Sequence, residues 1–191
     1  MTAGRPVPSH PDEDSLRAAA VTHLARYAAT SAGVRRVLLR RVDRWIASLP
    51  DREEAADTIA AARSAVDRVI ARLTELGAIN DAAFAETHAQ VLRRSGLSTR
   101  AITARLVAKG IRAEQSHASR PEAAEDELAA ALVLTRRRRI GPFRTGDQPG
   151  PEERRREFAI LARAGFAPGV AREALATPPE EAEARIRALR Q

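Results

Sequence analysis

Apolar side chains recur every three to four residues along most of this chain, which is the period of an amphipathic α-helix. The clearest apolar stripe predicts a helix that begins after Thr30 or Ser31 and continues to about Ser48. Either of these two residues can cap the helix by accepting a hydrogen bond from a backbone N–H group. Its apolar positions are Val34, Val37, Leu38, Val42, Trp45, Ile46 and Leu49. Similar spacings predict further helices near residues 15–29, 51–76, 82–95, 99–109, 121–139, 152–166, 170–175 and 177–190. The pattern therefore predicts an all-α fold.

Two of these helices have faces that the spacing assigns to the core. In the helix over 51–76 the predicted buried positions are Ile59, Val66, Val69, Ile70, Leu73 and Leu76. In the helix over 82–95 they are Phe84, His88, Val91 and Leu92. The first of these helices is predicted to open with acidic residues, which suit the positive end of the helix dipole: Asp51, Glu53 and Glu54. Asn80 or Asp81 can cap the second.

Several short runs of sequence occur in an order that is typical of one family. A glycine-led turn at Gly77–Asp81 precedes the pair Phe84-Ala85. An Ile-x-x-x-Leu-x-x-Lys-Gly-Ile run then occupies Ile102–Ile111, and a Leu-Ala-x-x-Gly-Phe run occupies Leu161–Phe166. In combination these runs resemble the RecX family of regulators of the RecA recombinase, over roughly residues 15–175.

The resemblance implies an elongated, curved array of tandem three-helix repeats. An apolar helix that finishes with glycine and a large hydrophobe occurs at both Gly110-Ile111 and Gly165-Phe166, which favours stacked helical units. The likeness is loose around 43–62, which resembles an insertion or elongation, and around 112–121, which supports a third helix only poorly. The expected divisions are a disordered tail (1–14), a first repeat with an elongated or inserted helix (15–79), a second repeat (80–120), a third repeat (121–176) and a C-terminal helix (177–191).

Composition narrows the class of protein. The net charge is +7, and Lys109 is the one lysine among 32 basic residues. Arginine forks suit phosphate and carboxylate partners, although a GC-rich genome would raise arginine and alanine together without any functional demand. Aromatic residues make up only 3% of the chain, which argues against a base-stacking platform for single-stranded nucleic acid. There is no cysteine, no apolar run long enough to span a membrane and no secretory-signal layout, so a cytoplasmic monomer is expected.

No pattern of catalytic or metal-ligating residues is present. Phosphate-loop, dinucleotide-binding, zinc-protease and EF-hand motifs are all missing, and the four histidines lack ligand spacing. His88 is expected to be a packed or partly exposed imidazole. Asp81 fits a helix cap and Glu86 a solvated face better than they fit an acid pair. We therefore expect a protein that is not an enzyme and that has no catalytic residue, cofactor or metal site.

The arginine clusters are the remaining candidates for function. Near a predicted helix C-terminus they comprise Arg136, Arg137, Arg138, Arg139 and, in the following loop, Arg144. Compensation of the helix dipole requires only one or two of these charges, so the excess favours partner or DNA binding. Weaker candidates are Arg36, Arg40 and Arg44, which form a ridge on one helix, and Arg93 and Arg94. The run at 154–156 alternates with Glu152, Glu153 and Glu157, which predicts pairing within the helix.

The family resemblance implies a non-enzymatic modulator of RecA. Such proteins bind the filament that RecA forms on single-stranded DNA and restrain its ATP hydrolysis, strand exchange and coprotease activity. The expected roles are therefore in DNA repair, homologous recombination and the SOS response. The arginine clusters would contact acidic filament surface and, in part, DNA phosphate.

Two other interpretations come from different classes. A helix-turn-helix regulator would read DNA without RecA through the helices at 82–95 and 99–109. Its second helix, however, exposes Thr99, Arg100, Thr103 and Arg105, with no Asn or Gln for bidentate base reading. A helical scaffold with no nucleic-acid role would leave the arginine clusters dispensable.

Overall fold

The computed structural model describes residues 9–112, 123–146 and 148–191. Every regular element in these ranges is helical, which confirms the all-α prediction. The elements are α1 (Glu13–Leu24), α2 (Ser31–Ile46), α3 (Ala56–Glu75), α4 (Asp81–Arg94), α5 (Thr99–Ala108), α6 (Ala123–Arg138), a 3₁₀ turn (Gly141–Phe143), α7 (Pro151–Arg163), α8 (Pro168–Ala176) and α9 (Pro179–Ala188). The weakly supported helix at 112–121 falls almost wholly outside the described residues.

The chain divides into two compact units, Met1–Phe84 and Ala85–Gln191. In the first unit α1, α2 and α3 pack on one another. Its core takes one face of each helix: the buried residues include Leu16, Val34, Leu38, Val42, Trp45, Val66, Val69 and Leu73. The ring of His10 meets the ring of Trp45 edge-on, with centroids 5.0 Å apart. Thus the predicted stripe of α2 does face the core.

The boundaries of the first and third helices differ from the predicted ones. α1 begins at Glu13 rather than Ser15, because a carboxylate oxygen of Asp12 accepts the Ser15 N–H at 2.8 Å and caps the helix. α3 begins at Ala56 rather than residue 51. Its expected opening residue, Asp51, instead accepts the N–H groups of Glu53 (2.8 Å) and Glu54 (3.1 Å) in a turn before the helix.

The predicted core faces of α3 and α4 were partly wrong. Leu76 lies beyond the end of α3 and is 62% exposed, while Ala62 and Ala65 take buried positions. On α4 the buried residues are Ala85, Ala89, Leu92 and Arg93, while Val91 is 57% exposed. The core side of α4 is therefore offset by one residue, or about 100°, from the predicted stripe. Alanine allows close approach between helices, which a count of large apolar residues does not detect.

In the second unit α6 is the central helix. Leu128–Thr135 are buried without interruption, because α8 and α9 both pack on α6 and the 3₁₀ turn adds to the same core. Opposing side chains include Leu161, Phe166, Ala171, Ala174, Ala182 and Ile186. The predicted loop at 141–151 is interrupted by the 3₁₀ turn, and α7 already begins at Pro151. Pro151 suits the first helical position because the missing N–H has no partner to lose there.

Two helix N-termini are each capped by a carboxylate from a later helix. Ser31, the first residue of α2, donates its backbone N–H at 2.7 Å and its hydroxyl to Asp81 of α4. Thr99, the first residue of α5, donates the same two groups to Glu127 of α6, with the N–H at 2.9 Å. Asn80, not Asp81, caps α4 by accepting the Ala83 N–H at 2.9 Å. The same arrangement, a carboxylate of a later helix bound to the first residue of an earlier one, therefore occurs twice. This is consistent with tandem repeats, which remain a prediction.

Candidate functional site

The α6 terminus, defined as Arg136–Arg139, follows the buried stretch Leu128–Thr135 of the same helix. Arg136 is partly covered, and its Nη1 lies 3.3 Å from a carboxylate oxygen of Glu183 in α9. Arg137 is exposed and donates one long hydrogen bond, 3.4 Å, to the Ser95 carbonyl. Arg138 is exposed and has no ion pair or hydrogen bond from its side chain within the described residues. Arg136 is therefore paired within the second unit, whereas Arg137 and Arg138 are more available to a binding partner.

Arg139 occupies a backbone conformation that favours glycine. Its φ is +55°, and the Ile140 N–H closes the helix by donating to the Thr135 carbonyl at 3.1 Å. Gly110 and Gly165 hold the same position at the ends of α5 and α7, where the next residue donates to the fifth residue before it. A residue with a Cβ costs roughly 1–2 kcal/mol in this region. Sequence reading missed this strain, although the sequence signal existed: a large hydrophobe follows each of these residues.

Arg144 is held inside the second unit. Its guanidinium forms an ion pair with Glu157 of α7, and the side chains are only 20% and 9% exposed. The predicted pairing of Glu157 within its own helix was therefore wrong. Among its neighbours, Arg156 does pair with Glu152 at 3.4 Å, whereas Glu153 accepts the Gly150 N–H at 3.0 Å. Arg154 donates to the Pro149 carbonyl at 2.6 Å, so it braces the loop before α7.

Arg93 and Arg94 both contact other parts of the second unit. Arg93 is buried, and its Nη1 lies 3.4 Å from a carboxylate oxygen of Asp126. Its remaining guanidinium nitrogens are buried and have no hydrogen-bond partner within the described part of the chain. Arg94 is exposed and donates to the Leu189 carbonyl at 3.1 Å. Of this pair, only Arg94 presents a charge at the surface.

The α2 ridge, defined as Arg36, Arg40 and Arg44, is exposed along its whole length. In the described ranges none of the three forms an ion pair; Arg44 donates to the Arg40 carbonyl at 3.3 Å. The neighbouring Arg35, by contrast, pairs with Asp67 of α3. Because the opposite face of α2 forms the core, the i, i+4 spacing holds these three charges on the solvent side.

The histidine and carboxylate side chains of the described residues do not form a metal site. In the described residues no group of three His, Asp or Glu side chains could hold a metal ion. His88 is half-buried, and burial lowers its pKa, with the positive charges of Lys109 and Arg105 adding to the effect. A histidine with a lowered pKa is neutral near pH 7. No helix in the described part of the chain is long and apolar enough to cross a membrane.

Two named proteins are similar to this chain. Over 169 residues, covering 86% of each protein, it is 42% identical to the regulatory protein RecX of Myxococcus xanthus. Over 106 residues, covering 56% of each, it is 34% identical to the regulatory protein RecX of Agrobacterium fabrum. No protein-family model matches the chain, and no solved structure matches it.

Proposed function

This chain belongs to the RecX family of regulatory proteins, and on that premise we propose that it binds the RecA filament on single-stranded DNA and inhibits its activities. The single observation that carries the proposal is the 42% identity to a RecX protein over 86% of the chain. The activities restrained would be ATP hydrolysis, strand exchange and the coprotease function. Because the partner assembles on DNA, the protein would act in the cytoplasm, by binding rather than by catalysis.

The exposed arginines are the groups best placed to make the contacts. Arg36, Arg40 and Arg44 lack internal ion pairs within the described residues, and the same is true of Arg137–Arg139. A guanidinium without a carboxylate partner can pair with phosphate or with an acidic protein surface without first breaking an existing ion pair. Arg93, Arg136 and Arg144 already contact Asp126, Glu183 and Glu157, so we assign them a smaller share of the binding.

The test is ATP hydrolysis by the cognate RecA on single-stranded DNA, titrated with the native chain and with an Arg137→Ala/Arg138→Ala variant. We expect inhibition by the native chain below equimolar amounts. The variant should need about five to thirty times more protein for half-inhibition, since each charge pair that is removed contributes roughly 0.5–1 kcal/mol.

The matched control is Arg163→Ala/Arg187→Ala. These two arginines also lie in the last turns of helices, are exposed, and have no ion pair in the described ranges. They therefore control for net charge and for dipole compensation. Absence of inhibition by the native chain at stoichiometric excess would overturn the RecA proposal. Equal losses in both variants would leave the inhibition but remove its assignment to the α6 terminus.

The alternative, a helix-turn-helix regulator that acts without RecA, has an observation against it. In that architecture the N-terminal residues of the second helix contact base edges. Here the second helix is α5, and the carboxylate of Glu127 already occupies its first N–H and hydroxyl at Thr99. A negative charge at this end would repel DNA phosphate. Sequence-selective binding of duplex DNA without RecA is the result that would favour the alternative.

A further inference from the structure

A cleft of about 1060 Å³ lies in the second unit between α7, α8 and the loop before α7. Its lining carries the guanidinium groups of Arg144, Arg154, Arg155 and Arg172, against the single carboxylate of Glu157 among the described residues. Because Glu157 is already paired with Arg144, the remaining lining has an excess of positive charge. The exposed arginines to which we assign most of the contact with RecA lie outside this lining; of the arginines with a smaller share, Arg144 belongs to it.

The walls of the cleft are held by internal contacts. Gly141, with φ +56°, approaches α8 so closely that a Cβ there would lie 3.1 Å from the Leu175 Cα and 3.0 Å from its Cδ2. The Arg144–Glu157 ion pair ties the loop to α7, and Arg154 holds the Pro149 carbonyl at 2.6 Å. A cleft that is formed before its ligand arrives loses less conformational entropy on binding.

Two of the lining cations are available to a ligand. Arg155 of α7 and Arg172 of α8 are exposed, and the described residues supply neither with an ion pair or a side-chain hydrogen bond. Between these helices Phe158 and Leu175 are half-buried and contribute apolar surface to the same cleft. The cleft therefore combines two free guanidinium groups with an apolar surface. Arginine and phenylalanine are both enriched in protein–protein contacts.

The end of α7 beside the cleft is unsuited to a phosphate chain. Its first residue, Pro151, has no N–H, and the Gly150 N–H is already bonded to Glu153. Glu152 and Glu153 add negative charge in this first turn. A nucleic acid has a negative charge on every phosphate and would be repelled by these carboxylates. A peptide can have carboxylates only at the positions that lie next to the arginines.

We propose that this cleft binds a short acidic peptide segment of a partner protein. An apolar side chain of the peptide packs on Phe158 and Leu175, and carboxylates on either side of it pair with Arg155 and Arg172.

The test is fluorescence anisotropy with the full chain, in the absence of RecA and DNA. The probe is a labelled nine-residue peptide with a central leucine and two glutamates on each side. An Arg155→Glu/Arg172→Glu variant should bind at least about tenfold more weakly, because two ion pairs become repulsions. A control of equal charge change, Arg163→Glu/Arg187→Glu, should differ from the native chain by less than about twofold. Replacing the central leucine by glycine should weaken binding about fivefold or more.

Thermal unfolding establishes that each variant is folded. If the charge reversal unfolds the chain, Arg155→Gln/Arg172→Gln keeps the side-chain length, and we expect about fivefold weaker binding from it. Equal weakening by the cleft and control variants would overturn the proposal, as would equal or tighter binding of an oligo-dT with the same charge. Failure of the peptide to bind at millimolar concentration would also overturn it. None of these results depends on whether the protein inhibits RecA.

Discussion

The α2 ridge and the α6 terminus are both runs of arginine on helices, but the structure treats them differently. α2 has one face in the core and one in solvent, so arginines at i, i+4 spacing stay exposed and unpaired within the described residues. α6 is buried on all sides from Leu128 to Thr135, so its arginines crowd into the last turn. There Arg136 pairs with Glu183, and Arg139 takes a left-handed backbone conformation. Arginine clustering alone therefore does not identify a binding surface; the burial of the supporting helix decides how many charges remain available.

The largest change in stability should come from breaking the Arg144–Glu157 ion pair, which lies after the α6 terminus in the chain. Glu157→Ala would leave the Arg144 guanidinium, whose side chain is 20% exposed, without its carboxylate. We expect the free energy of unfolding to fall by about 3 kcal/mol, measured by urea denaturation. The control is Glu152→Ala, which breaks the exposed Arg156–Glu152 pair and should cost less than about 0.5 kcal/mol. Similar small losses in both variants would show that Arg144 is solvated rather than enclosed.

The next largest loss of stability is expected from removing the carboxylates that cap α2 and α5, and it tests whether these two caps are equivalent. Asp81→Ala removes the acceptor for Ser31, and Glu127→Ala removes the acceptor for Thr99. Each should lower the free energy of unfolding by about 1–2 kcal/mol, the usual cost of losing a cap. Two-state urea curves would provide the comparison. A large loss from one substitution and none from the other would argue that the two caps are not equivalent.

Substitution by glycine should change the free energy of unfolding by a smaller amount, and in opposite directions at the α6 terminus and in the α2 ridge. Arg139→Gly should raise the free energy of unfolding by about 1 kcal/mol, because glycine adopts positive φ without a Cβ clash. Arg40→Gly, in the middle of α2, should lower it by about 1 kcal/mol. If Arg139 contributes to RecA inhibition, Arg139→Gly will inhibit less while unfolding at a higher temperature. No gain in stability would contradict the strain at this position.

The smallest effect on stability should follow from neutralising the α2 ridge. Arg36→Gln/Arg40→Gln/Arg44→Gln removes no ion pair of the described residues, so the free energy of unfolding should change by less than about 0.5 kcal/mol. Binding to the RecA filament should become weaker and less dependent on salt. The slope of the logarithm of the binding constant against the logarithm of the salt concentration should fall in magnitude by roughly one for each DNA phosphate that the ridge no longer neutralises. A loss of stability well above this value would show that the ridge is structural.

Sequence patterns predicted the features that depend on near neighbours. The class of fold, the core face of α2 and the cap at Thr30, which accepts the Gly33 N–H at 3.0 Å, all follow from interactions within one or two helical turns. The prediction was poorer for α4, because small alanines rather than large apolar residues face its core. It was also poorer at the start of α3, since Asp51 caps a turn instead of the helix.

Tertiary structure decided which partner each charged group finds. Asp81 could cap its own helix, but its carboxylate accepts from Ser31, 50 residues earlier, while Asn80 takes the local role. Glu157 has arginines on its own helix, yet it pairs with Arg144 from the preceding loop. Arg93 lies inside the second unit against Asp126, 33 residues later. Helical periodicity and the caps at Thr30 and Asn80 are local because their hydrogen bonds span three or four residues. Charge pairing depends on the path of the whole chain, which brings distant carboxylates and guanidinium groups into contact.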